Sequence, residues 1–383
     1  MNQYPPQRGF SLVEILITIG LGAFILAGIL KILANTRDTH RLEVGIAEVQ
    51  DNGRYLLDRL SEAIRYRGYF GCLPPVQVET WNSSPLDWGS VVRLEPLATN
   101  APSPKSNAAA LRGFTVTPQG NWQPDPSHSA IDYHTADLAQ IRDSEHPPRP
   151  GSDVLSIQYA SANSVDVSKP MSNQSSPVVI ADNSLNLNQG DLVLVSNCLY
   201  GDVFAISNEP ADTGPIALKH QTPYNQNSKL FYPYTKNAKV RRFIAETFFV
   251  ADSGRTAVDG NAIYSLYRAY PSTSPTANDL TYEDLVEGVE FMKILYGQRV
   301  SKNNIHYVSA PDNAKANSTF WLSVESIQLA LLLRATTPTL SADNTTVYRL
   351  LGENIGPGET LHYQADRSYR QVFKTTVYLR NRS

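Results

Sequence analysis

Glu14 stands five residues after Gly9, inside residues 10–30 (FSLVEILITIGLGAFILAGIL), a run with no other charge between Arg8 and Lys31. A carboxylate in that setting can do one kind of chemistry, ion pairing. An ionisable side chain in a membrane helix costs roughly 2.5 to 3.5 kcal/mol on insertion scales and is functional by default. Two readings of Glu14 stand. In the first it lies one turn inside the span and reaches back to the headgroups. In the second it meets a cation in an assembled state. Cutting the peptide bond after Gly9 gives Phe10 a free amine, and that amine on a neighbouring helix pairs with Glu14 and fixes the axial register between the two rods.

Elsewhere the side chains that carry chemistry are sparse. Cys72 and Cys198 are the only cysteines, too few for a zinc ribbon or a disulfide-dense mini-domain. They pair if the bulk of the chain lies in an oxidising compartment; the alternative is two separately buried thiols. A bridge would pin the exit of the N-terminal helix to a strand, and closing so long a loop contributes roughly 4 to 5 kcal/mol in the chain-entropy model. The histidines, at 40, 128, 134, 146, 220, 306 and 362, include no pair at the i, i+4 spacing of a zinc-binding helix. Asp132, His134, Asp137 and His146 form the densest group, in a stretch that reads as loop, where such side chains are mostly solvated. Neither a G-x-S-x-G elbow nor a phosphate-binding glycine loop occurs. The stretch DNSLNLNQGD (182–191) lacks the spacing and closing glutamate of an EF-hand. Tyr66, Tyr69 and Phe70, in RYRGYFGC beside Arg65 and Arg67, read as a hinge between rod and head in preference to a stacking platform for a ligand. The expectation is therefore a non-enzyme with no catalytic residue, metal or cofactor.

The elements that position Glu14 and Cys72 follow from composition and spacing. A chain of 383 residues, 42% hydrophobic and 18% charged, suits a folded protein. A net charge of -3 with Lys and Arg scattered offers no basic surface for nucleic acid. Residues 10–30 span roughly 30 Å as a helix, about one hydrocarbon core. Positive charge precedes the span, which places the short N-terminus in the cytoplasm and the rest across the membrane. Leu33, Ala34 and Asn35 make a poor signal-peptidase site. The helical pattern then continues past the membrane edge. Leu42, Ile46, Val49, Leu56, Leu60 and Ile64 recur on one face with Gly53 between them, and Arg41, Glu43, Glu48, Asp51, Arg54, Asp58 and Arg59 fall mainly on the other. No proline occurs between Pro6 and Pro74, so one rod from about Phe10 to about Arg65 extends roughly 80 Å.

After Cys72 the text changes to short runs rich in β-branched and aromatic residues: VLSIQYA (154–160), VVI (178–180), DLVLVSN (191–197), DVFAIS (202–207), ETFFVAD (246–252), AIYSLYR (262–268), VESIQLALLLRA (324–335) and VFKTTVYLR (372–380). They predict an antiparallel sheet. LVEGVEFMKILYG (285–297) reads as a strand or as a short helix entering one. Residues 82–106, 119–149, 208–238 and 335–368 read as long loops, the expected seat of partner specificity. The fold class is α+β, a long N-terminal helix packed on an antiparallel β-sheet head. The divisions are 1–9, 10–30, 31–65 and a head, 66–383, of one or two lobes.

RGFSLVEILITIG resembles the signal of type IV prepilins: a short basic leader ending in Gly9, then Phe10, an apolar run, and Glu14 at the fifth mature position. The resemblance implies cleavage after Gly9 by a prepilin peptidase, N-methylation of Phe10 and a role for Glu14 in assembly. EVQDNGRYLLDRLSEAIRYRGYFGC (48–72), GSDVLSIQYA (151–160), GDLVLVSNCLYGDVFAIS (190–207), LVEGVEFMKILYG (285–297) and YRQVFKTTVYLRNR (369–382) are similar to blocks of minor pilins of the PilW type, in the same order. Such a protein is held in the inner membrane with its head in the periplasm before assembly, and resides in the pilus at the cell surface afterwards. Its implied partners are the major pilin, other minor pilins and, at the tip, an adhesin; its implied role is to prime assembly for twitching, adhesion or DNA uptake. A type II secretion pseudopilin and a membrane-anchored periplasmic enzyme or binding protein are the alternatives. One departure stands out: major pilins usually carry a proline in the membrane segment where this chain has Lys31, so no break of the helix is encoded.

Overall fold

The computed structural model describes residues 11–73, 91–94, 110–124, 140–225, 228–273, 280–301, 304–311, 320–321 and 323–379. One α-helix, Leu12–Tyr66, runs unbroken for 55 residues, about 80 Å at the helical rise. It starts after an extended Ser11 and stops where Gly68 takes a left-handed φ of 68°, a conformation glycine adopts at no steric cost. From residue 11 to residue 41 every position is exposed. Burial starts at Gly45 and follows one stripe through Val49, Gly53, Leu56, Leu60 and Ile64, the spacing of a single helical face. Leu42 and Ile46, expected on that face, are only half-buried. The contact centres on Gly45 instead, because the Thr339 side chain occupies the space a Cβ there would fill.

Among the described residues the ladders of the head are antiparallel except that of Val91–Leu94, which runs parallel to Tyr200–Val203. Its hub is the 18-residue strand Lys239–Thr256. The first residues of the hub pair with Leu192–Ser196 and Val165–Lys169, and its later ones with Asp153–Ala160 and Ala262–Pro271. A second sheet orders Asn304–Val308, Val289–Ser301, Val324–Arg334 and Arg370–Tyr378. LVEGVEFMKILYG contains no helix: it is the end of strand Leu280–Glu287, then Gly288, then strand Val289–Ser301. Gly288, at φ 82°, is where the chain changes sheets. Its N–H donates to the Tyr264 carbonyl in the first sheet at 2.8 Å, and its carbonyl accepts from Arg334 N–H in the second at 2.7 Å. A side chain there would run into the Arg334 carbonyl.

The helix contributes Val49, Leu56, Leu60, Ala63 and Ile64 to the principal core, with Leu155, Ile157, Phe248, Ile327, Leu329, Leu331 and Val377 of the two sheets. Residues 165–240 close over a separate core built on Val167, Val178, Val195, Phe204, Leu218 and Tyr234. The segments read as loops carry short strands: Trp122–Gln123, Ile216–Leu218, and the hairpin of Tyr348–Leu350 with Glu353–Ile355. Segment 335–368 is held by buried charge. Arg370 donates to both oxygens of Glu290 (2.8 and 3.0 Å) and both of Asp366 (2.7 and 2.8 Å), and Arg334 donates to Asp366 at 3.0 Å. Burial opposes ionisation of Asp366, and the Arg370 hydrogen bonds and charge outweigh it and hold the carboxyl below the usual carboxylate range.

Candidate functional site

The site is the helix itself, because its two halves meet different surroundings. Leu12, Val13, Leu16, Ile17, Phe24, Ile25, Ile32 and Leu33 are all exposed, Phe24 to 81%. An apolar surface of that extent in a monomer marks a membrane or protein contact, and the helix is long and apolar enough to cross a bilayer. Glu14 lies in its first turn. The Glu14 backbone carbonyl accepts from Thr18 Oγ1 at 2.7 Å, and no ion pair reaches its carboxylate among the described residues. Gly9 and Phe10, the expected cleavage and methylation positions, lie outside the described residues.

The second half is tied to the head at three levels. Near the start of the contact, Glu48 Oε1 accepts from Thr336 N at 3.3 Å and Oγ1 at 2.8 Å. Five residues on, the ring of Phe373 sits where a Cβ of Gly53 would be. Beyond it Arg59 donates to Glu246 Oε2 at 2.6 Å, and the Tyr159 hydroxyl donates to Glu246 Oε1 at 3.0 Å. Glu246 is 1% exposed in its side chain and Arg59 19%, and Arg268 approaches the same carboxylate at 3.5 Å. Burial alone would lower the affinity of Arg59 for its proton; the charge of Glu246 and its hydrogen bond reverse that and hold the guanidinium above its usual value. Burial and then Glu246 push the Tyr159 phenol up. Sequence spacing put Arg59 on the solvent side. It turns to the head because a buried acid waits there, and the one local signal was Glu246 itself, a charge inside the apolar run ETFFVAD.

At the helix exit Arg67 donates to the Trp321 carbonyl at 2.7 Å, and Gly68 N–H donates to the Gln158 carbonyl at 2.9 Å. Tyr66 stacks on Tyr159 at 5.8 Å between centroids, and Phe70 on Phe243 at 6.1 Å. The aromatic cluster is thus packed into the joint. Cys72 and Cys198 form a disulfide, with Cα atoms 4.7 Å apart and 126 positions between them in sequence. Cys198 lies in the turn between strands Leu192–Ser196 and Tyr200–Ala205, so the bridge fastens the helix exit to the turn of this hairpin in the first sheet.

Asp132, His134 and Asp137 lie outside the described residues. His146 stacks on Tyr267 at 4.9 Å and its Nδ1 lies 3.0 Å from the Asp252 carbonyl. Among the described residues no group of three or more His, Cys, Asp or Glu could hold a metal ion. The acids of 182–191 serve local turns: Asp182 Oδ1 accepts from Ser184 N, and Asp191 Oδ2 accepts from Asn188 N and pairs with Arg242 at 3.0 Å.

Residues 5–30 match the prokaryotic N-terminal methylation motif, and residues 247–381 match the family model described as type IV pilus-assembly protein W. The two matches together support a type IV pilin of the PilW family. The family match covers the end of the hub strand and all of the second sheet that receives the helix; the 165–240 lobe lies outside it. No curated protein and no solved structure gives a significant match. As a PilW-family minor pilin the protein is membrane-anchored by its N-terminal helix, associates with other pilins in the pilus, and is a substrate of prepilin peptidase. Membership implies a structural rather than a catalytic role.

Proposed function

We propose that this pilin acts at the start of filament assembly, in a complex of minor pilins at or near the pilus tip that supports an adhesin. Residues 1–9 are the cytoplasmic leader, 10–30 the membrane span, 31–65 its continuation, and 66–383 the periplasmic head. Hydrolysis of the peptide bond after Gly9 frees the Phe10 amine, a separate transfer from an external methyl donor then methylates it, and Glu14 receives the corresponding amine of a neighbouring subunit. One observation carries this reading: half of the helix is apolar, bare and unpaired while the other half is locked to the head. In lipid the bare half gains van der Waals contact and hydrogen bonding from other helices rather than hydrophobic stabilisation, because the tails are equally apolar. That makes the paired charges the natural source of order.

The test is mass analysis of the N-terminus on protein recovered from sheared filaments, beside recruitment of Glu14→Ala. The reading expects a methylated Phe10 terminus, and a Glu14→Ala variant that inserts in the membrane yet enters filaments about tenfold less, the scale of one lost buried ion pair at 1.4 kcal/mol per decade. An intact Met1 terminus, or wild-type recruitment of Glu14→Ala, overturns it. Deleting the gene should abolish piliation and twitching while type II secretion continues.

A further inference from the structure

Where the two sheets meet, side chains at and just before the start of strand Asp153–Ala160 are sewn to the backbone of strand Val289–Ser301. Ser152 Oγ accepts from Met292 N–H at 3.0 Å and donates to the Met292 carbonyl at 3.2 Å, and Asp153 Oδ2 accepts from Ile294 N–H at 2.7 Å. Between those two residues Lys293 turns back to the same acid. Its Nζ lies 3.7 Å from Asp153 Oδ1 and 2.7 Å from Glu353 Oε2. The side chains of Lys293 and Asp153 are 6% and 7% exposed, that of Glu353 48%. Asp153 Oδ1 has no hydrogen-bond partner. Burial pushes the Asp153 carboxyl up to about 6, against the opposing effects of Lys293 and the Ile294 N–H. A lysine and an aspartate shut away together are costly as ions, because the interior gives back only part of their lost hydration. Joined as one amide they carry no charge at all.

We propose that Lys293 and Asp153 condense into an intramolecular isopeptide bond, with Glu353 relaying the proton. The Lys293 ammonium gives one proton to Asp153 Oδ1, which leaves a neutral amine beside a neutral acid. The amine nitrogen attacks Cγ, and the Nζ–Cγ bond forms. Oδ2 takes up the developing negative charge, where the Ile294 N–H already points at it. Glu353 Oε2 removes one proton from Nζ and returns it to the Oδ1 hydroxyl, which departs as water when the Cγ–Oδ1 bond breaks. The product is a secondary amide whose carbonyl oxygen is Oδ2; Glu353 ends as it began, and no oxidant or external donor is consumed. In open water this condensation runs backward. Groups held in place by a fold reach effective molarities of about 10⁵ to 10⁸ M, far above that of the water they must outcompete. The bond joins the two sheets across the core that receives the helix, where Leu155 and Ile157 of one sheet face Ile327 and Leu329 of the other. It lies within one subunit and is independent of how the filament is primed.

The experiment is mass spectrometry of the full-length protein, purified in detergent, then reduced and denatured. The wild type is expected to be lighter by one water than the sum of its residues after N-terminal processing, and a protease digest to yield a branched peptide joining Asp153 to Lys293. Lys293→Arg keeps the cation, cannot condense in this way, and should show the full mass and no branched peptide. Asp153→Asn should give the same branched peptide with loss of one ammonia, since the amide nitrogen then leaves in place of the hydroxyl. In pulse-labelled cells Glu353→Gln should slow the appearance of the branched peptide by about 100-fold, the scale of a lost proton relay; unchanged formation overturns that relay. An unmodified wild-type mass overturns the proposal and makes the trio an ordinary buried ion cluster. A dehydrated mass without the branched peptide, the sign of a cyclic imide at Asp153, overturns it too, and so does a branch from Lys293 to Glu353. These three outcomes are read on the wild-type chain, so no variant has to fold for the bond to be refuted.

Discussion

Two halves of one helix share a backbone and differ in what holds them. Residues 12–44 present Leu, Ile, Val and Phe to open space, and Glu14 finds no ion-pair partner among the described residues. Residues 45–66 have Gly45 and Gly53 where head side chains press closest, Arg59 on a buried carboxylate, and a disulfide six residues past the last turn. The difference teaches where each kind of stability resides. The second half gains from burial in water, where apolar area counts at about 25 cal/mol per Å². The first half has no such gain within the subunit, so its free energy is realised only between subunits. A substitution in one half should therefore report on head stability, and one in the other on assembly.

The sharpest way to break that division is at the helix exit. Replacing both cysteines, Cys72→Ser with Cys198→Ser, frees a loop with a sequence separation of 126, and should cost the head about 4 to 5 kcal/mol in the chain-entropy model. Denaturant unfolding of the full-length protein in detergent, with and without reductant, measures it. A variant as stable as the wild type would mean that the joint is held by Phe70, Tyr66 and Arg67 alone. Next in size is Glu246→Ala, which strips Arg59 and Arg268 of a shared carboxylate and Tyr159 of its acceptor. Removing one partner of a buried pair costs about 3 to 5 kcal/mol, and the partial exposure of Arg59 puts this case near the lower figure. Arg59→Met should cost less than half as much, because Tyr159 and Arg268 still serve the acid. A double-mutant cycle between the two positions gives the coupling directly.

What could be read from the sequence follows the same division. The helix, its amphipathic second half and most strands announce themselves by local period and residue type: VLSIQYA and VFKTTVYLR need no partner to look like strands. The Cys72–Cys198 pair was legible because no other cysteine competes. Arg59 was not, since its orientation depends on an acid 187 positions away, and helical spacing carries no trace of it. Nor was the sheet change at Gly288, where a lone glycine between two apolar runs reads equally as a helix start. Segment 335–368 looked like a loop because its order comes from Asp366 and Arg370 meeting Glu290 and Arg334, long-range charges in a stretch with little apolar pattern.

The smallest predicted effect discriminates most finely between the halves, because the same substitution is made in each. Gly53→Val drives a side chain into the Phe373 ring, and overpacking of this kind costs about 1 to 3 kcal/mol. Part of that is offset because valine is a better helix former than glycine by a few tenths of a kcal/mol, roughly. Gly22→Val meets nothing within 4 Å, so head unfolding should shift by no more than about 0.5 kcal/mol. In the membrane the order inverts. Small residues let helix backbones approach one another, so Gly22→Val should lower recruitment into filaments while Gly53→Val, measured below its melting point, leaves it near wild type. Equal effects of the two on unfolding would show that the first half of the helix packs on its own subunit, and the contrast between the halves would be lost.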